Sequence, residues 1–280
     1  MSEVRHLNAR RCYCFQKPLS DDTHHNRGLG KQMTTPLDRP IWAALSGPQI
    51  GLSVGTDHAR AYPAEIGPLT ATRDDTPESL GALAQLVAER QTLVLLQAGR
   101  PPVPQGCRVE MLADAVQMIS TVGGDLPVSG PDLDQDPGPG PGEVVALGDD
   151  DAAEMLALAK LTAPGPFATR THTLGQFYGI RIDGRLAAMA GQRMRFPGYG
   201  EMSGVCTHPD FRGLGLAMRL SAKVINIIRA RGEQPFLHVR AQNTNAIRVY
   251  ERLGFTIRQA FTVMQLVPEN KQGGAEAPPW

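Results

Sequence analysis

The stretch Val205-Cys-Thr-His-Pro-Asp-Phe-Arg-Gly-Leu-Gly-Leu-Ala217 leaves a strand pattern, turns through glycines and enters a helix pattern. It offers no side chain suited to holding a phosphate, so the main chain must do that work. Successive N–H groups of Arg212, Gly213, Leu214, Gly215, Leu216 and Ala217, at the positive end of a helix dipole, make an anion site suited to a pyrophosphate. Two familiar phosphate loops do not fit. No Lys-Ser or Lys-Thr follows the glycines, as a Walker loop needs, and Gly213, Gly215 and Ala217 lack the glycine spacing of a dinucleotide-binding turn. An ordinary glycine-bearing strand-to-helix turn is the other reading of the same residues. Cys206 invites a nucleophile reading. However, no base is recognisable beside it, and a buried free cysteine usually serves as a small hydrophobe.

The elements that must position these residues are legible from period and punctuation. Asp149-Asp150-Asp151 loads charge onto a helix start, and Ala153, Leu156, Ala157 and Leu161 give the helix an apolar face until Pro164-Gly165-Pro166 stops it. Two alternating segments, Phe177 to Ile182 and Leu186 to Met194, meet at Asp183-Gly184, a hairpin signal. A third strand runs from Glu201 to Thr207, where the two-residue period puts Ser203 and Val205 on the face of Glu201. Then come a helix over Leu216 to Ala230 closed by Gly232, a strand over Phe236 to Arg240, a helix over Asn245 to Leu253 closed by Gly254, and a strand over Phe255 to Leu266.

The first half is less explicit. Thr76-Pro77-Glu78 is a capped helix start, with Leu80, Leu83, Leu86 and Val87 at helical spacing. Residues 92–96 and 107–111 read as short strands. Residues 1–32 carry no period and read as a disordered tail before Met33, an alternative start. Their Cys12, Cys14, His24 and His25 lack zinc-finger spacing, so no metal is expected. A Pro/Gly/Asp-rich stretch over 123–142 reads as a linker. The expected organisation is therefore a tail (1–32), an α/β domain (33–122), the linker (123–142), a second domain (143–267) and a tail (268–280).

Composition narrows the partners. The 280 residues hold 28 Lys plus Arg against 28 Asp plus Glu, which removes the electrostatic case for nucleic acid. No apolar run approaches the ~20 residues of a membrane span. With scattered cysteines and no leader pattern, a reduced cytoplasmic protein is expected.

Arg212-x-x-Gly215-x-Ala217 resembles the acyl-CoA pyrophosphate loop of the GNAT superfamily, and Glu201 to Ala217 is similar to that family's strand, His-Pro turn and loop. Asn243-x-x-Ala246-Ile247-x-x-Tyr250-Glu-x-Leu-Gly-Phe255 independently resembles the family's closing signature. The resemblance covers roughly residues 143–267. It implies an α/β fold with a mixed central sheet and helices on both faces. The first half would then be a smaller α/β domain, with a degenerate tandem copy as one form it could take.

The resemblance also implies acetyl-CoA as co-substrate, a primary amine of a small molecule or peptide as acceptor, and direct attack. It makes Glu201 the base and Tyr250 the general acid toward the sulfur, meeting the need to move protons during transfer. A solvated strand glutamate and an amphipathic core tyrosine are the plain alternatives. Main-chain groups of Val205, Cys206 and Thr207 are implied to bind the pantetheine arm, with Asn243 contacting it by side chain. His208 reads as a turn residue and His238 as core. Arg170 and His172 either meet an acceptor carboxylate or cap a turn. A rival to the enzyme is an acyl-CoA-binding regulatory or interaction module.

Overall fold

The computed structural model describes residues 35–121 and 141–270. The tail with its Cys12, Cys14, His24 and His25, residues 123–140 of the linker, and residues 271–280 lie outside them. In the first half, short strands β1 (Val54–Gly55), β2 (Ala59–Ala61) and β3 (Leu69–Thr72) follow helix α1 (Pro40–Leu45), and helix α2 (Pro77–Arg90) leads to β4 (Leu93–Ala98) and the long β5 (Cys107–Ser120). As expected, Thr76 caps α2, its side chain accepting from the Ser79 N–H, and Pro77 opens the helix. The second half begins with β6 (Glu143–Leu147) and helix α3 (Ala152–Thr162), then the hairpin β7 (Phe177–Ile182) and β8 (Arg185–Phe196). It continues with β9 (Tyr199–Thr207), α4 (Leu216–Ala230), β10 (Gln234–Arg240), α5 (Thr244–Arg252) and β11 (Phe255–Pro268). The β7–β8 turn uses Asp183 at φ 50° and Gly184 at φ 77°, as an Asp-Gly hairpin requires.

All these strands join one mixed sheet in the order β1-β2-β3-β4-β11-β5-β10-β9-β8-β7-β6. Strand β5 of the first half lies between β11 and β10 of the second, so the composition break at 123–142 does not interrupt the sheet. Alternation along the strands sends side chains to two faces. In β4, Leu93 and Leu95 pack with α2 residues Leu83, Leu86 and Val87. Val94 and Leu96 point the other way, into a core with Ile41 and Leu45 of α1. In β10, Leu237 and Val239 pack with Leu220, Val224 and Ile228 of α4. Phe236 joins the α1 core instead. Helices α2, α4 and α5 thus cover one face and α1 the other, where α3 also packs through Met155 and Leu158 against Phe177.

Strand β9 departs from regular pairing in two ways. It pairs in parallel with β10 only from Tyr199↔Gln234 to Glu201↔Phe236, after which the two strands have no further paired residues. Beyond that point the sheet is split. In addition, Met202 and Val205, three residues apart, both pack on the α4 side. The face shared by Glu201, Ser203 and Val205 in the alternating reading is thus broken. The cause is a bulge at Gly204, at φ +66°, where the β8–β9 register also shifts. A Cβ there would sit 2.8 Å from Phe177 Cε1.

Candidate active site

A cavity of about 630 Å³ occupies the split between β9 and β10. Met202, Val205, Val239, Ala246, Val249 and Tyr250 line it from the α4 and α5 side. Leu69, Val94, Leu96, Ala115 and Val263 line it from the α1 side. The opening therefore communicates with both faces of the sheet.

At its mouth lies the glycine loop. Gly213 and Gly215 have φ of +81° and +74°, and Gly215 is the left-handed residue that opens α4 without a side-chain cap. Met218 and Arg219 N–H groups return to the Gly215 carbonyl, and Arg212 N–H to that of Pro209. Among the described residues, the N–H groups of Gly213 to Ala217 donate to no other main-chain carbonyl outside the helix. A string of unused donors at the start of a 15-residue helix fits a pyrophosphate. Arg212 and Ala217 line the cavity.

Val205, Cys206 and Thr207 line the cavity on the stretch of β9 that has left β10 behind. Cys206 is buried, with its thiol pushed up to about 11 by desolvation, so it is a protonated core thiol at neutral pH rather than a nucleophile. Asn243 also lines the cavity, but its Oδ1 accepts from the Ala246 N–H at 3.1 Å and caps α5. Its amide NH₂ is left to meet a ligand. Tyr250, on α5, stands at the cavity with its ring against Phe255. Burial, and then the neighbouring Cys206, raise its phenol to about 12. It therefore stays protonated at neutral pH.

Glu201 takes a fully buried position. It is 0% exposed and is not among the residues lining the cavity. Arg193 Nε and Nη2 donate to its two oxygens at 2.8 and 2.7 Å, and the Met194 N–H adds a third bond at 3.3 Å. His238 Nδ1 lies 2.8 Å from Oε1. Burial alone would raise this carboxyl. The Arg193 charge and the bonds from Arg193 and His238 outweigh it and bring the group to about 2. The carboxylate expected as the base is thus buried behind the cavity wall and paired bidentately with Arg193.

The network runs on. Gln117 donates to the Leu37 carbonyl and receives Arg258 on its Oε1, which fixes its amide orientation. Its NH₂ therefore faces His238 Nε2 at 3.1 Å. That assigns the imidazole as an Nδ1–H tautomer donating to Glu201. Burial lowers the imidazole's pKa, against the pull of Glu201, so the ring is neutral. His238 is therefore more than core filler, since it lines the cavity and belongs to a charged chain.

Other residues settle into structural places. His208 Nδ1 accepts from the Asp210 N–H, as a turn residue. His172 lies 2.7 Å from Asp149, and the Arg170 N–H donates to the Glu65 carbonyl. Thr171 Oγ1 adds a 2.6 Å bond to Ile66, which docks residues 167–174 on the first half. Arg193 and the wall from β3, β4, β5 and β11 were not anticipated from sequence. Arg193 did leave a signal, a charge within a strand otherwise apolar enough to be buried, where it must find a partner. The wall left none, because nothing in the first half's spacing says which strand neighbours β11.

An FR47-like protein family model matches residues 177–263, which spans β7 into β11. No match is found among curated proteins. Among solved structures, a protein from Novosphingobium aromaticivorans DSM 12444 assigned to the GNAT family is 43% identical, with a TM-score of 0.72. The match covers 85% of this chain and 100% of that one. A GCN5-related N-acetyltransferase from Kribbella flavida shares the fold at 16% identity and TM-score 0.54, over 83% of this chain and 94% of that one. With 43% identity to the first of these across 85% of its own length, the chain belongs to the GNAT acetyltransferase family.

Proposed function

We propose that the protein transfers an acetyl group from acetyl-CoA to a primary amine of a small molecule or peptide by direct attack within the split. The observation that carries this reading is the continuity of the cavity, which joins the unused N–H donors at the start of α4 to the Tyr250 side chain and passes between the strands. The thioester supplies the activated acyl group. Main-chain groups of Arg212 to Ala217 hold the pyrophosphate, the free edge of β9 at Val205 to Thr207 aligns the pantetheine arm, and the Asn243 amide assists. Tyr250 gives its proton to the leaving sulfur. Glu201 acts at one remove, as the anion that fixes His238 and Arg193 at the cavity wall. No metal is called for.

The engaged Glu201 also favours a second reading, an acyl-CoA-binding module without useful turnover. Calorimetric titration with acetyl-CoA, followed by a free-thiol release assay over an amine panel, separates the two. Micromolar binding with amine-dependent thiol release supports the transferase, whereas binding with no release from any amine selects the module.

A further inference from the structure

The α1 side of the cavity has a chemistry that the anion loop does not share. Leu96 of β4, Val263 of β11 and Ala113 of β5 are paired in register across three neighbouring strands. All three line the cavity, together with Leu69, Val94 and Ala115. This is a continuous aliphatic wall, kept roomy at one end by the small side chains of the two alanines. The charged and titratable groups that line the same cavity are Arg193, Arg212, Arg240, His238, Cys206 and Tyr250. Among the described lining residues none is Asp or Glu. Arg193 is neutralised by Glu201, and Arg240 stands beside Ala115 where β10 pairs with β5.

We propose that this wall admits the acceptor as an uncharged primary amine carrying an aliphatic or aromatic body, and rejects polycationic amines. The inference rests on the acetyl-transfer reading above and names the acceptor class for it. A second ammonium group here would lose its water beside arginines and find no carboxylate. An aliphatic body would instead bury apolar surface against Leu96 and Val263. The same environment removes the need for a carboxylate base, because desolvation favours the neutral form of an amine. Protons then balance internally. The amine lone pair attacks the thioester carbon, the C–N bond forms, the C–S bond breaks, and the net movement is one proton from nitrogen to sulfur. Tyr250 donates on the sulfur side and is recharged from the nitrogen.

The test uses the full chain, acetyl-CoA, and hexylamine against 1,6-diaminohexane, equal in length and different by one ammonium group. Hexylamine is expected to exceed the diamine in kcat/KM by at least ~20-fold. With two apolar amines of different basicity, the pKa governing kcat/KM should move with the amine. In Ala113→Asp, which adds a carboxylate at a half-buried wall position, the preference should shift toward the diamine by at least ~10-fold.

Equal or better use of the diamine by the unaltered protein overturns the acceptor class while leaving acetyl transfer intact. A pKa fixed across amines overturns uptake of the free base. If octanoyl-CoA outperforms acetyl-CoA with one fixed amine, and Ala113→Asp abolishes that preference, the wall holds the acyl chain and the inference falls. Failure of acetyl-CoA to bind at all defeats the transfer reading itself, and this inference with it.

Discussion

The two sides of the split sheet are built from different kinds of information. On the α4 and α5 side, the ligand surface is one contiguous chain segment, from the free edge of β9 through the glycine loop into α4, plus one face of α5. In the proposed reading each part serves the anion or the thioester of the co-substrate, and its residues follow one another closely along the chain. On the α1 side, the surface is assembled from β3, β4, β5 and β11, brought together only by sheet order. Its residues are ordinary core aliphatics, whose meaning comes from the gap they face. On the proposed reading, binding the co-substrate is local in sequence and choosing the acceptor is a property of tertiary structure.

The junction of the two sides is the Arg193–Glu201–His238 cluster, and breaking it gives the largest expected effect. Glu201→Gln would leave the buried Arg193 guanidinium without its counter-charge and should destabilise the fold by about 3–5 kcal/mol, read by urea unfolding at pH 7. The pH dependence follows from the depressed carboxyl. Held at about 2 in the folded state against an ordinary 4.5, it contributes stability that is fully present above pH 4.5 and is lost as pH falls toward 2. That component of acid destabilisation should be missing in the Gln variant. A Glu201→Gln protein as stable as the parent would show that the cluster is not the joint between the two sides.

Tyr250→Phe comes next. It should lower kcat about 100-fold, the scale of a general acid, with the acetyl-CoA dissociation constant changed by less than ~3-fold. Unchanged turnover would remove the phenol from the reaction. Smaller still is Asn243→Ala, which deletes the α5 cap and should cost about 1 kcal/mol in thermal unfolding. It should leave acceptor preference untouched if Asn243 serves the co-substrate as proposed.

The same contrast governs what could be read from sequence. The helices α2, α4 and α5 and the β7–β8 hairpin follow from caps, closing glycines and period, and the two signatures carry the loop and Tyr250 that meet at the cavity. Strands β1, β2, β3 and β6 are short or lie beside the linker, and periodicity over so few residues is not diagnostic. The insertion of β5 between β10 and β11 is long-range pairing, which no local pattern encodes. Glu201 shows a subtler limit. It lies on the strand where the sequence put it, but its role depends on Arg193 across the β8–β9 ladder and His238 across the split. Gly204, a glycine inside a strand, was the available warning that alternation would fail at this point.

If one face of the split holds the CoA anion and the other the acceptor, the two must respond separately to substitution. The most direct test is calorimetric titration of acetyl-CoA into three proteins: the parent, Gly215→Val and Ala113→Asp. Valine at a backbone position with φ +74° is strained even though a Cβ there meets nothing within 4 Å, so the loop must shift and affinity should fall about 30-fold. Ala113→Asp should bind within ~2-fold of the parent. Equal weakening by both substitutions, or no binding by the parent, would contradict the division of the site.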